Sequence, residues 1–196
     1  VNTECDPDAL IHAWYPGSEG GKALAEILFG DVSPTGKLPV TFYESSELLP
    51  GFTDYSMKNR TYRYAENNVL YPFGFGLTYG NILCTSVEYR DNTAFVTAEN
   101  KGDIPCEDVI ELYIKDYSEY AVRNVSLCGF ERIKLDAGES IIVKIPVSER
   151  AFTAVGENGE RKRYGDRFTL YAGTHQPDEI SSRLCGNDCV YTEINF

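Results

Sequence analysis

The sequence predicts a mainly β protein: a two-sheet sandwich of the immunoglobulin kind from about residue 81 onward, preceded by a shorter stretch of helix and strand. Short runs beyond residue 81 alternate apolar and polar residues, the period of a strand with one buried face. Turn signals such as Asp136-Ala137-Gly138 and Glu157-Asn158-Gly159-Glu160 separate them. Ahead of residue 81 the clearest periodicity is helical, and a long aromatic segment follows it.

Composition narrows the function classes. A chain of 196 residues holds one or two domains, and 42% hydrophobic residues suffice for a core. Lys and Arg total 18 against 30 acids, a net charge of −12, which argues against nucleic acid as a partner because phosphate binding needs cations. An acidic surface suits neutral ligands such as sugars. No run reaches the roughly 18 apolar residues of a membrane span, so no membrane is expected as a partner. Val1 does not open a signal peptide; the start reads as internal, with Val1-Asn2-Thr3 the tail of a strand.

Taken in order, Asp6-Pro7-Asp8 marks a turn, and His12 beside Ala9-Leu10-Ile11 reads as a packed residue rather than a catalyst. Trp14, the one tryptophan, is expected to be buried in a helix–sheet layer, with sugar stacking the alternative. Ser18 is placed to cap a helix from about Glu19 to Phe29, whose buried face is Leu24, Ile27 and Leu28 and whose end is Gly30. Gly20 and Gly21 cost helix stability and point to close backbone packing or a polar ligand there. Ser33-Pro34-Thr35-Gly36 forms a turn, and Lys37 to Phe42 a short strand. Tyr43 to Leu70 shows little periodicity and many aromatics, as for an arm lying on a surface supplied from outside the chain. Within it Arg60 and Arg63 read first as structural ion-pair partners and second as a carboxylate clamp.

Tyr71-Pro72-Phe73-Gly74-Phe75-Gly76 closes the arm. Its glycines bring backbone close to a neighbour, while Phe73 and Phe75 fill space on alternate sides. A packed connector is the leading reading and a sugar-stacking platform the second. The expected strands are Ile82–Tyr89, Thr93–Asn100, Glu107–Lys115, Leu127–Leu135, Ile141–Val147, Arg167–Gly173 and Ile180–Cys185. In the third, Ile110, Leu112 and Ile114 share one face, and Glu111, Tyr113 and Lys115 the other.

Six cysteines (Cys5, Cys84, Cys106, Cys128, Cys185 and Cys189) permit three disulfides, but their spacing fits reduced thiols first, a local Cys185–Cys189 disulfide second and a metal last. Reduced thiols lean toward the cytoplasm over secretion without deciding the compartment. Asn59-Arg60-Thr61 and Asn124-Val125-Ser126 are formal glycosylation triplets of a kind that chance often supplies.

Six blocks resemble the C-terminal part of glycoside hydrolase family 3, the β-glucosidase and β-xylosidase family. They are Ala13-Trp14-Tyr15-Pro16-Gly17, Glu19-Gly20-Gly21, Leu28-Phe29-Gly30-Asp31, Pro34-Thr35-Gly36-Lys37-Leu38-Pro39, Arg60-Thr61-Tyr62-Arg63-Tyr64 and Tyr71-Pro72-Phe73-Gly74-Phe75-Gly76-Leu77. Leu127-Cys128-Gly129-Phe130-Glu131-Arg132-Ile133 and Asp136-Ala137-Gly138-Glu139 are similar to the fibronectin type III-like domain that ends many of these enzymes. The resemblance implies residues 1–43 as the terminal piece of an α/β sandwich domain, 44–80 as a connecting arm and 81–196 as a fibronectin type III-like sandwich.

The resemblance further implies retaining hydrolysis of terminal β-linked glucose or xylose, a reaction that needs two carboxyl groups roughly 5–5.5 Å apart. In the family these acids lie on segments that none of the matching blocks contains. No catalytic residue, metal ligand or cofactor is therefore assigned, and substrate-binding residues stay unknown. Glu19, Asp31, Glu44 and Asp54 read as capping or surface carboxylates. The expected partners are the remainder of a family 3 enzyme, or a second chain, and through it an oligo- or disaccharide. The alternative is a stand-alone non-catalytic module that binds a polysaccharide or a protein.

Overall fold

Alternation decides the sandwich. The computed structural model describes residues 7–196, so the reading of Val1-Asn2-Thr3 and the state of Cys5 lie outside the described residues. In chain order the elements are α1 (Gly20–Leu28), β1 (Phe42–Tyr43), α2 (Thr61–Tyr64), β2 (Val69–Tyr71), β3 (Ile82–Arg90), β4 (Thr93–Asn100), β5 (Cys106–Asp116), β6 (Ser126–Leu135), β7 (Ser140–Pro146), β8 (Ala154–Val155), β9 (Arg161–Lys162), β10 (Arg167–Gly173), α3 (Glu179–Cys185) and β11 (Val190–Asn195). One sheet runs β11-β10-β5-β6 and the other β3-β4-β7, with all neighbours antiparallel. Every second residue of β4, from Ala94 through Val96 to Ala98, is fully buried; with Val143 and Ile145 beside them on β7 and Ile110, Leu112 and Ile114 of the other sheet they form a single core. The architecture is the mainly β sandwich that the alternation predicts.

Turns fix the register. β3 and β4 are joined by Asp91-Asn92, both in the left-handed region at φ 50° and 55°, the backbone of a two-residue hairpin with matching twist. The Asn158-Gly159 hairpin differs from the two-residue form: Gly156 N–H donates to Glu160 C=O across three residues, with Gly159 alone at φ 78°. Asn100 pins the opposite end. Fully buried, its amide donates to the carbonyls of Ile104 (2.8 Å) and Asp136 (3.1 Å), and its Oδ1 accepts from Gly102 N–H (3.0 Å).

Three expected elements change. Ile180–Cys185 is helical, not a strand, because Asp178 caps it with Oδ1 accepting from Ile180 N–H and Ser181 N–H, and Gly186 at φ 73° closes it. The seventh strand is instead β11. The expected strand Lys37–Phe42 reduces to Phe42–Tyr43: Lys37 is drawn toward the sandwich, and Leu38 alone bonds the Gly74–Phe75 turn, its N–H donating to Phe75 C=O and its C=O accepting from Gly74 N–H, without a continuing ladder. The helix expected over Glu19–Phe29 spans Gly20–Leu28, and neither Ser18 nor Glu19 supplies a side-chain cap. Gly20 must be glycine there, because a Cβ would strike Pro16. At its end Gly30 N–H donates to Ile27 C=O and Asp31 N–H to Glu26 C=O, a Schellman closure with Gly30 at φ 80°.

No residue of α1 is buried: Leu28 is 63% exposed, whereas Leu24 and Ile27 are half-covered. The face predicted to be buried is only partly covered among the described residues, Leu28 being open. Asn100→Ala should lower stability by about 3 kcal/mol in urea unfolding, because it strands buried carbonyls at the β4 end of the sandwich.

Candidate functional site

The arm and the sandwich meet over a set of buried polar side chains. Lys37, whose side chain is 9% exposed, places Nζ 2.8 Å from Asp108 Oδ1 and donates to Gly76 C=O at 2.8 Å. Asp108 has the strand parity of Ile110, so its carboxylate sits at the rim of the core face, and it also accepts from Val109 N–H (2.7 Å). On the other face Tyr113 O–H donates to Glu111 Oε2 at 2.8 Å, and both residues are buried. Gly74, at φ 79°, rests on that pair, and a Cβ there would collide with both Glu111 and Tyr113. Gly76 is packed as tightly on the carbonyl of Gly36. The close backbone approach predicted for these glycines is therefore met by this chain's own residues.

Burial sets the electrostatics. Desolvation raises the Glu111 carboxyl to about 7 against lowering by the Tyr113 hydrogen bond and Lys37. Desolvation also raises Asp108, opposed by the Lys37 ammonium. Among the thiols it pushes Cys84 and Cys128 up to about 12 and Cys185 to about 11, which leaves them poor nucleophiles. Cys84, Cys106, Cys128, Cys185 and Cys189 are all free, so the Cys185–Cys189 pair forms no disulfide.

Aromatic stacking completes the junction. Tyr62 lies flat on Phe73 at 4.2 Å, and both stand edge-on to Tyr113. Phe75 stacks on Tyr71 at 5.6 Å. Asn124 then locks α2: its amide donates to the carbonyls of Tyr62 (2.9 Å) and Ala65 (2.8 Å), and its own N–H donates to Arg63 C=O (2.9 Å). The amide nitrogen that a glycan would need is thus committed to the fold. The packed-connector reading of Phe73 and Phe75 fits this geometry. Of the arm expected to lie on an external surface, the part around Tyr62, Ala65 and Phe73 docks instead on the sandwich, while Phe52 and Tyr55 at its tip stay exposed.

The remaining candidates are dispersed. Arg60 and Arg63 form no ion pair among the described residues; Arg60 donates to the carbonyls of Gly51, Asp54 and Ser56, so it organises the arm through backbone rather than through a carboxylate. Asp54 Oδ1 accepts from Ser56 N–H (2.8 Å), a bond that lowers its carboxyl below the usual range. Glu19, Asp31 and Glu44 are exposed on the surface, as expected. His12 packs edge-on to Trp14 (4.5 Å) and Phe42 (5.5 Å). Trp14 is 52% exposed rather than buried, since no helix–sheet layer covers it among the described residues.

Tyr15 and Phe29, 100% and 84% exposed, extend an uncovered apolar face around α1, and Phe52 and Tyr55 leave the arm's tip equally open. Sequence reasoning missed Asp108 and Glu111. A charge at the core parity of an otherwise apolar strand was the available signal for the first.

Comparison with known proteins places this geometry. Residues 2–79 match the model of the glycosyl hydrolase family 3 C-terminal domain, and residues 108–176 that of the fibronectin type III-like domain. A xylan 1,4-β-xylosidase of Xylanibacter ruminicola is 38% identical over 185 residues, covering 90% of this chain and 21% of the relative. A periplasmic β-glucosidase of Salmonella typhimurium is 32% identical over 194 residues, covering 88% and 25%. The crystal structure of a β-glucosidase from Bifidobacterium adolescentis superposes with a TM-score of 0.71 at 31% identity, covering 90% of this chain and 28% of that one. The chain spans about a fifth to a quarter of the length of these curated relatives.

Two outcomes test the junction. Lys37→Met should destabilise the chain by about 3–5 kcal/mol, the cost of stranding a buried carboxylate, and adding Asp108→Asn should recover part of it in urea titrations. Folded Glu111 keeps its proton at pH values where the unfolded chain has released it, so its contribution falls as pH rises from the usual 4.5 to about 7. Glu111→Gln should flatten the stability difference between pH 5 and pH 8 by about 3 kcal/mol.

Proposed function

From the premise that this chain belongs to glycoside hydrolase family 3, through its C-terminal domain and its fibronectin type III-like domain, we propose that it is the non-catalytic C-terminal portion of a retaining β-glycosidase. The substrates proposed are terminal β-linked glucose or xylose, the sugars in the names of the β-xylosidase and β-glucosidase relatives. The two carboxyl groups that such hydrolysis requires are proposed to lie outside these residues. In support, the two buried acids of the junction are committed to Lys37 and to Tyr113, and the surface acids are scattered.

One observation carries the reading. The chain binds its own two parts tightly through Lys37–Asp108 and Asn124, yet leaves Tyr15, Leu28 and Phe29 open to solvent. An apolar stripe on a nine-residue helix marks a face built for a further surface. We assign that surface to the rest of the enzyme's sandwich domain. The role of the present residues is then to clamp the catalytic body to a rigid β module.

The 196-residue chain, incubated with aryl β-xylosides and aryl β-glucosides, is expected to show no turnover above the blank, whereas a family 3 polypeptide that carries this segment with a barrel turns them over. Hydrolysis by the isolated chain that disappears on mutation of one of its own acids would overturn the proposal.

A further inference from the structure

The sandwich builds its core without the arm. Its cluster of buried apolar side chains runs from Ile82 to Ile194 and takes nothing from before position 82. Between Lys37 and Gly80 only Pro72 and Gly74 are buried. The docked part of the arm is held by the Asn124 bonds, by Leu127 N–H donating to Tyr62 Oη (3.1 Å) and by Tyr62 and Phe73 standing over Tyr113. A segment attached in this way can open at a lower free energy than the core behind it.

Glu111 lies at that interface, under Gly74 and 4% exposed. Among the described residues one cation, Lys37, stands near two carboxyl groups, Asp108 and Glu111, and its Nζ is committed to Asp108 and to Gly76 C=O. The arm offers Glu111 no donor: Gly74 N–H is taken by Leu38 C=O (2.8 Å) and Phe75 N–H by Pro72 C=O (3.3 Å). Tyr113 O–H is the one bond to the carboxyl. The cross-strand neighbours, Phe130 on β6 and Gly173 on β10, carry no charge. Around α3, Cys185 and Cys189 also face the group, and burial raises both thiols and the Tyr113 phenol, so none of the three ionises between pH 5 and pH 8. His175 faces Asp108 from the connection between β10 and α3, and Tyr62 faces Tyr113 from the arm. A neutral Glu111 leaves the Lys37–Asp108 pair balanced, whereas an ionised one leaves a negative charge uncompensated beneath Gly74.

We propose that the arm is a pH-sensitive latch: it lies on the sandwich while Glu111 holds its proton, and loss of that proton to solvent drives the arm off the sheet as a unit with the sandwich still folded. Lifting the arm returns the carboxylate to water, so the docked form weakens as pH rises from the ordinary 4.5 of a glutamate to about 7. Tyr79, at the end of the arm, holds α1 through Ile27 C=O, so the latch also governs how firmly α1 is oriented. The latch itself needs no assumption about the parent enzyme's reaction.

The test is amide exchange of the full chain at pH 5 and pH 8, corrected for the intrinsic rate at each pH. Asn124 N–H, bonded to Arg63 C=O, and Leu127 N–H, bonded to Tyr62 Oη, report the interface; Val96 at the centre of β4 reports global unfolding. Asn124 and Leu127 should open together, more readily than Val96, and roughly a hundredfold more often at pH 8 than at pH 5. Glu111→Gln should abolish the rise, while any contribution from His175 would survive it. Tyr113→Phe removes a bond that favours the ionised carboxylate and should extend the rise to higher pH, a second reading should Glu111→Gln fail to fold. Opening at Asn124 and Leu127 no easier than at Val96, no rise with pH, a rise that persists in folded Glu111→Gln, or an unmoved rise in Tyr113→Phe would each overturn the latch.

Discussion

The ion pair of Lys37 and Asp108 is the constraint on which the rest of the junction depends. With Nζ held between a carboxylate and the Gly76 carbonyl, Lys37 fixes the chain before the arm against the chain after it and against the edge of the sandwich. From that point Leu38 and Gly74 exchange backbone bonds with Phe75 and Leu38, and the Tyr62–Phe73 stack falls over Tyr113. A buried ion pair adds little net stability over a well-packed apolar pair, because desolvation offsets most of the Coulomb gain. Its contribution here is register. An apolar residue at position 37 could slide along the rim, whereas an ammonium has one place where its charge is matched.

The same junction explains the unusual run of glycines and aromatics. Tyr113 and Glu111 rise from the outer face of β5, which in an isolated sandwich would meet solvent. They are covered by backbone as well as by side chains: Gly74 lies directly on them, in a conformation that L residues resist, while Tyr62 and Phe73 stand edge-on to Tyr113. Backbone cover brings amide dipoles but little volume, and the phenylalanines on either side supply the volume. The result is a sheet with two buried faces along β5, one facing the core and one facing the arm.

Much of the fold was legible in the sequence, and for a definite reason. Period-two alternation reports a half-buried strand wherever one face meets a core, so β4 and β10 were found at their observed limits and β3, β5, β6 and β7 within a residue or so. The misread segments are those where a tertiary or capping interaction outweighs pattern. Ile180–Cys185 alternates weakly, but Asp178 satisfies two helix-start amides and turns it into α3. Lys37–Phe42 has strand-forming residues, but the pull of Asp108 on Lys37 removes it from a ladder. The junction itself was only half visible: its glycines and aromatics announced close contact, while the identity of the contacted groups required a fold that brings position 74 onto positions 111 and 113.

The contrast between the two ends of the N-terminal segment gives the structure its functional meaning. Between Lys37 and Gly80 the aromatics Phe42, Tyr62, Tyr71, Phe73 and Phe75 stack within the chain, and Asn124 ties α2 down with three bonds. Around α1, by contrast, the helix is closed by its Schellman turn, yet Leu28 and Phe29 face outward, and the helix is held to the end of the arm by Tyr79 O–H donating to Ile27 C=O at 2.7 Å. A short helix is not stabilised by its own hydrogen bonds in water and is selected for what it packs against. On the function proposed above, the buried ion pair orients this segment and the open part of its apolar face, Leu28 and Phe29, is presented for packing against the rest of the enzyme.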